Sequence, residues 1–451
     1  MSVYATSLHH VMVHRKRYES IGEIKPDVKA EISKEIIKQR EEEKHYVRVS
    51  SYLLETGLFL GKRGKEILSN EKMQYLLAYA NWLVVLSDDA DKCHHTEKEV
   101  RLEVTNEYLI NVEINIGSKE KEIRDLSKRM YDNPGYFDRD YEEDNRFYNK
   151  TKLKFKEDTG IELEQLISFL YYLEIGGNND KQLFFRNNVL CFWKDDILND
   201  FSRSEKVPDL QAGKILEFVS IKADKLKTKN GKSDFYLPIG EKEKRDNRFE
   251  VKPIYEYDDM LIYSPVAIHF LREYWQNSLI DFFMPYEIGL PETKKTLDEW
   301  KSVYEKKMVF DIENVFKRNG FSTKHNFELR KLNKEKYPQY LGDYDVFAVN
   351  AENKEIWIVE CKVLEKVETF YEMYRQQNRF FYEDKADEKF QRRIDYLRAN
   401  FMEVIKDLQL PQEEYSIKPI MCINKVFLSR YKDVDFPILS YQELVDLINK
   451  Q

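Results

Sequence analysis

Two carboxylates and an amine in the segment GDYDVFAVNAENKEIWIVECK, residues 342–362, have the types and spacing to do chemistry. Both arms of this segment are rich in β-branched and aromatic residues. Its middle, Ala351-Glu352-Asn353-Lys354, is polar, so it reads as a β-hairpin. A loop symmetric about its midpoint sets Asn350 opposite Glu355 and Asp345 opposite Glu360. Opposed residues on one face of a ribbon have Cβ atoms roughly 4.5–5.5 Å apart. The period of two also puts Lys362 on the face of Glu360 and turns Cys361 to the other side. Two carboxylates about 5 Å apart repel by roughly 3 kcal/mol at an effective dielectric of about 20. A divalent cation relieves that repulsion, and hard oxygen ligands favour magnesium or manganese. Such a cation polarises a phosphoryl oxygen and acidifies a bound water, while Lys362 orients that water or meets charge developing on the phosphate. The chemistry that fits is phosphodiester hydrolysis.

Several elements must position these groups. A helix is expected over about Leu297–Arg318, stopped by Asn319-Gly320. A strand at Thr323–Leu329 follows, then the hairpin arms Tyr344–Asn350 and Glu355–Cys361. Two charged helices, about Glu368–Glu383 and Asp387–Asp407, come next. Strands at Ile417–Asn424 and Pro437–Leu439 and a helix at Tyr441–Lys450 close the chain. The order α-β-β-β-α-α-β-β-α suits a mixed α/β sandwich with helices on both faces of the sheet.

Asp345, then fourteen residues, then Glu360-Cys361-Lys362 resembles the D-x(n)-E-x-K core of the PD-(D/E)XK nuclease superfamily. The resemblance covers roughly residues 310–451. It implies a restriction-endonuclease-like α/β sandwich with a mixed sheet and a magnesium- or manganese-dependent endonuclease acting on DNA. Asp345, Glu360 and the Cys361 carbonyl would hold the metal. Glu313, seven residues before Gly320 on the preceding helix, would complete the site, with Lys362 catalytic beside them. The family's Pro before the first Asp is missing from Gly342-Asp343-Tyr344-Asp345, and Asp343 is a rival for that role, although its register faces it to residue 362. Gln376 and Gln377 stand where related nucleases sometimes place a site-lining Gln. An unfamiliar N-terminal part on such a domain resembles bacterial anti-phage or restriction effectors, by analogy only. Two other readings share the fold: a silent DNA- or protein-binding module, and an RNase.

Lys389, Arg392 and Arg393, with Lys385 and Arg398, are candidates to meet DNA phosphates. The alternative for this stretch is a solvated helix face with pairs such as Glu388–Arg392. A second basic cluster, Lys324, Arg330, Lys331, Lys334 and Lys336, carries the same two readings.

Upstream, the sequence divides into an N-terminal α+β region, 1–125, and a mainly helical region, 126–290, ahead of the nuclease-like domain, 291–451. Region 1–125 contains a charged helical stretch (Pro26–Glu43) and two strand-like runs, Tyr75–Leu86 and Val100–Ile116. Helices are expected at Glu162–Leu173, Gln211–Ala223 and Pro265–Phe283, the last preceded by a hairpin. The 451 residues carry 42% hydrophobic and 34% charged side chains, enough for real cores under a solvated surface. The longest apolar run is shorter than the roughly 18 residues of a membrane span, and no export signal is expected, which points to the cytoplasm. Four widely spaced cysteines suggest neither a disulfide framework nor a zinc ribbon, and Cys93-His94-His95 lacks partners at zinc spacing. The net charge is −8, but from Lys301 onward 26 Lys+Arg balance 26 Asp+Glu, so the C-terminal part is neutral and has room for a local basic surface. DNA, a divalent metal and a second copy of the chain are the expected partners.

Overall fold

Apolar side chains at alternating positions of 344–350 and 355–362 must be covered on both faces, and the chain builds layers to do so. The computed structural model describes residues 1–20, 45–59, 69–95, 100–104, 110–114, 136, 141–177, 181–186, 188–223, 248–279, 282, 284, 289–365, 376–425 and 434–450. The chain forms two compact units, one of Met1–Asp91 with Tyr148–Thr296 and the other of Lys92–Phe147 with Leu297–Gln451. This division differs from the three consecutive regions read from the sequence. Tyr136 shows why: its ring lies 5.1 Å from that of Tyr304 and 4.6 Å from that of Tyr441, so its segment belongs with the C-terminal residues.

The first unit contains helices α1 (Ser2–Ser20), α2 (45–59) and the part of α3 (Asn70–His95) up to Asp91. The run Tyr75–Leu86, expected as strand-like, is helical. Ala80 and Val84, one helical turn apart, are buried against Val49 and Tyr52 of α2. The second strand-like run folds as a hairpin of the C-terminal unit, β1 (Val100–Val104) against β2 (Ile110–Ile114). The helical stretch expected at 26–43 lies outside the described residues.

Next come α4 (Tyr141–Thr159), α5 (Leu163–Glu174), β3 (Phe184–Arg186), β4 (Val189–Trp193), α6 (Lys194–Glu205), α7 (Asp209–Val219), β5 (Ser220–Ile221), β6 (Ile254–Tyr257), β7 (Met260–Tyr263) and α8 (Pro265–Ser278). The strands make a five-stranded mixed sheet in the order β3-β4-β7-β6-β5. Region 126–290 is mainly helical among its described residues, and it also carries this sheet, of which only the hairpin before α8 was expected. Strands of two to five residues are too short to leave a periodic trace in sequence.

The second unit is built on α9 (Pro291–Arg318, of which the part from Leu297 belongs here), β8 (Ser322–Phe327), β9 (Tyr344–Asn350), β10 (Glu355–Lys362), α10 (Ala386–Ala399), α11 (Phe401–Asp407), β11 (Ser416–Ile423), β12 (Ile438–Ser440) and α12 (Tyr441–Asn449). Gly320, at φ +80°, closes α9 in a conformation that side chains resist. The expected single helix over 387–407 breaks at Asn400 into α10 and α11. The sheet runs β12-β11-β10-β9-β8, antiparallel from β8 to β10 and parallel from β10 through β11 to β12. One face of the hairpin, with Phe347, Val349, Ile356 and Ile358, packs on Phe390, Ile394 and Leu397 of α10. On the other face Trp357 sits 5.5 Å from the ring of Phe316 in α9. This is a mixed α/β arrangement with helices on both faces. A capping box at Ser440 and Glu443 starts α12.

Candidate active site

The hairpin register places Asn350 opposite Glu355 and runs to Val346 opposite Val359, where the pairing of β9 with β10 ends. One step further, Asp345 and Glu360 continue the same register off the end of the ladder. Strand β10 does not stop there. It stays paired with β11 through Glu360↔Met421, Cys361↔Cys422 and Lys362↔Ile423. β9, still paired with β8 as far as Tyr344, thus leaves β10 while β10 continues beside β11, and polar groups collect in the opening.

Each group in that opening has a defined partner. One Asp345 carboxylate oxygen accepts the backbone N–H of Cys361 at 2.6 Å, on the side where β9 has ceased to pair. The next residue's carbonyl, that of Lys362, accepts from Asn424 N–H on the β11 side. Strand alternation therefore aims the Cys361 carbonyl at the opening as well. Lys362 Nζ lies 3.1 Å from Glu360 Oε1 and 3.5 Å from Glu305 Oε1. Glu305 Oε2 accepts Val363 N–H at 3.3 Å, fixing α9 to the end of β10. Arg393 of α10 brings Nη2 to 2.8 Å from Glu360 Oε2. That approach is close but poorly aligned, so this buried oxygen has a charge beside it and no directed hydrogen bond.

The electrostatics follow from burial. Asp345 is pushed up to about 7, first by desolvation and then by the neighbouring Glu360, against the pull of Lys362 and the Cys361 N–H. For Lys362, burial works against the charge, but Glu360, Glu305 and Asp345 outweigh it and raise the ammonium above its ordinary value. An amine held so firmly charged is a poor general base. It suits holding an anion or orienting a water.

The donor set suits a hard divalent cation. Asp345 is strained toward its protonated form by a second carboxylate, and Glu360 Oε2 is buried without an aligned donor. Among the described residues no three His, Cys, Asp or Glu side chains form a complete metal cage by themselves. Magnesium commonly takes one or two carboxylates and fills its octahedron with waters and phosphate oxygens, so a partial protein shell is the form expected for it.

Of the residues read from sequence, Asp345, Glu360, Cys361 and Lys362 meet at this opening. Glu313 does not join them. It is 3% exposed and is held by Thr323 Oγ1 at 3.0 Å, His325 Nδ1 at 2.8 Å and Lys317 Nζ at 3.0 Å, which ties α9 to β8. Glu305 is the α9 carboxylate that reaches the strand end. Both glutamates follow a buried residue of the α9 stripe, Tyr304 or Ile312, so helical periodicity alone does not separate them. Eight residues, about 12 Å of helix, do.

Arg393 also needs correcting. The sequence offered it to DNA phosphates, but it lies on the inner face of α10 among Phe390, Ile394 and Leu397, and its Nη1 donates to the Asp343 carbonyl. Lys389 and Arg392, on the outer face of the same helix, are exposed. In the second basic cluster Lys336 is engaged by Asp407 at 2.8 Å and Glu403 at 3.2 Å. Gln377 is buried, and Gln376 donates to the Glu365 carbonyl at 2.9 Å. Among the described residues no helix is long and apolar enough to cross a membrane. The chain matches no protein-family model, no curated protein and no solved structure.

Proposed function

We propose that the C-terminal unit is a metal-dependent phosphodiesterase acting on DNA, built on a restriction-endonuclease-like core. The observation that carries this reading is the meeting of Asp345, Glu360 and Lys362 where β9 leaves β10 and β10 continues beside β11, with one Glu360 oxygen buried beside a cationic group and no aligned donor. Burial and the neighbouring Glu360 push the Asp345 carboxyl up to about 7, a cost that a bound doubly charged cation would offset.

In this reading Asp345, Glu360 and the Cys361 carbonyl hold Mg²⁺ or Mn²⁺, with Glu305 at the rim. The cation supplies Lewis acidity at the phosphoryl oxygen and a water acidic enough to attack at neutral pH. The chain's own groups do the positioning. Lys362 remains charged, fixes the scissile phosphate or the attacking water, and offsets charge that builds up on the phosphoryl oxygens. Glu305 restrains the Lys362 ammonium and locks the end of β10 through Val363 N–H. Lys389 and Arg392, exposed on α10, would meet backbone phosphates in this reading.

Purified protein incubated with DNA and with RNA, each with and without Mn²⁺, tests the reading. DNA cleavage only with the metal is expected. Cleavage that survives chelation argues against it, and a preference for RNA makes the enzyme an RNase.

A further inference from the structure

Glu360 meets two cations, one of which the proposed chemistry does not use. Lys362 holds Oε1 at 3.1 Å, while Arg393, from a different element, stands 2.8 Å from Oε2. Arg393 is 6% exposed. Its Nη1 donates to the Asp343 carbonyl and its Nε to the Lys389 carbonyl at 3.3 Å, while its guanidinium carbon lies 5.5 Å from the ring centre of Phe390 and 6.0 Å from that of Tyr344. The Tyr344 hydroxyl in turn donates to the Arg393 carbonyl at 3.1 Å. The guanidinium is thus clamped to the two residues that lead into Asp345, and its remaining approach is to the one Glu360 oxygen that lacks an aligned donor.

A permanent cation at that distance from a metal-ligating oxygen has two effects. Without metal it offsets a buried carboxylate that would otherwise be costly to keep ionised. With metal it repels the incoming ion and competes for the same oxygen. From this geometry, and resting on the metal-site reading above, we infer that Arg393 is an internal counter-cation. It holds Glu360 when no metal is present and must yield Oε2 when one binds, so it sets the divalent-metal affinity of the site. Its role is positioning rather than catalytic.

Calorimetric titration of Mn²⁺ into wild type, Arg393→Gln and Arg393→Lys, without DNA, tests this. The Gln variant keeps a polar amide but loses the charge, and the inference expects it to bind Mn²⁺ at least tenfold more tightly. The Lys variant, which keeps the charge, is expected to stay within threefold of wild type. The metal-free Gln variant should melt below wild type, with the gap narrowing on addition of Mn²⁺. Equal or weaker binding by Arg393→Gln overturns the inference while leaving the metal site intact. Absence of binding by wild type overturns the metal reading beneath it. Should the Gln variant not fold, the Arg393 Nε resonance of wild type decides: a shift on Mg²⁺ addition supports release of Glu360, and an unmoved resonance in metal-bound protein refutes it.

Discussion

The Asp345 carboxylate takes the Cys361 N–H at 2.6 Å, so a side chain stands where β9 would have continued the ladder. This substitution links the fold to the chemistry. It lies where the β9–β10 ladder ends at Val346, beside Glu360, and keeps a carboxylate in a setting that disfavours its charge.

Stability should therefore fall as the site ionises. Asp345 titrates near pH 7 in the folded chain and near 4 when unfolded. Between those values the folded state retains a proton that the unfolded state has lost, so stability declines as pH rises from about 4 and the loss is complete above about 7. Asp345→Asn removes this burden. Its melting midpoint should exceed that of wild type by on the order of 5 °C at pH 8 and by much less at pH 4. Thermal unfolding at the two pH values checks this, and an unchanged difference between them contradicts it.

Metal affinity should show the same proton. A cation that binds ionised Asp345 displaces a proton below pH 7, so Mn²⁺ affinity is expected to rise with pH by about tenfold per unit up to about 7 and then level off. Titrations at pH 5.5, 6.5, 7.5 and 8.5 test the profile. A flat response would remove Asp345 from the ligand set.

The two α9 glutamates should behave differently. Glu305→Gln weakens the hold on Lys362 and the end of β10, and DNA cleavage is expected to drop about tenfold or more, within the range of positioned acid–base and electrostatic groups. Glu313→Gln loosens the link to Thr323 and His325 and is expected to lower the melting temperature while leaving cleavage within about threefold. Rates and melting curves for the pair decide it, and the reverse pattern would restore Glu313 to the site.

The hairpin was legible because its chemistry is local. A polar turn between two β-rich arms fixes the register from Asn350–Glu355 to Val346–Val359, and Asp345 and Glu360 follow at the end of that ladder. Contributions from other elements were not. Glu305 and Glu313 share the same relation to the apolar stripe of α9, and only the place where β10 ends selects between them. Arg393 looked like one of several basic residues on a solvated helix. Its burial depends on which face of α10 meets the sheet, a tertiary fact that the packing of Phe390 and Ile394 decides. The hairpin before Pro265 was legible too, but the short strands between Phe184 and Ile221 left no periodicity to read.

On the outer face of α10, Lys389→Ala and Arg392→Ala should each weaken DNA binding across sequences and lower the salt slope of the binding constant by about one, without changing the pH profile of metal binding. Binding measured at several salt concentrations tests this. An unchanged slope would place the DNA elsewhere.

The most direct test of the central claim is cleavage of a DNA substrate by wild type, Asp345→Ala, Glu360→Ala and Lys362→Ala, each shown to be folded, with Mn²⁺ and with chelator. Metal-dependent cutting by wild type and a loss of at least a hundredfold in all three variants is the expected result. Full activity in any one folded variant, or cutting by wild type in the presence of chelator, would contradict the account.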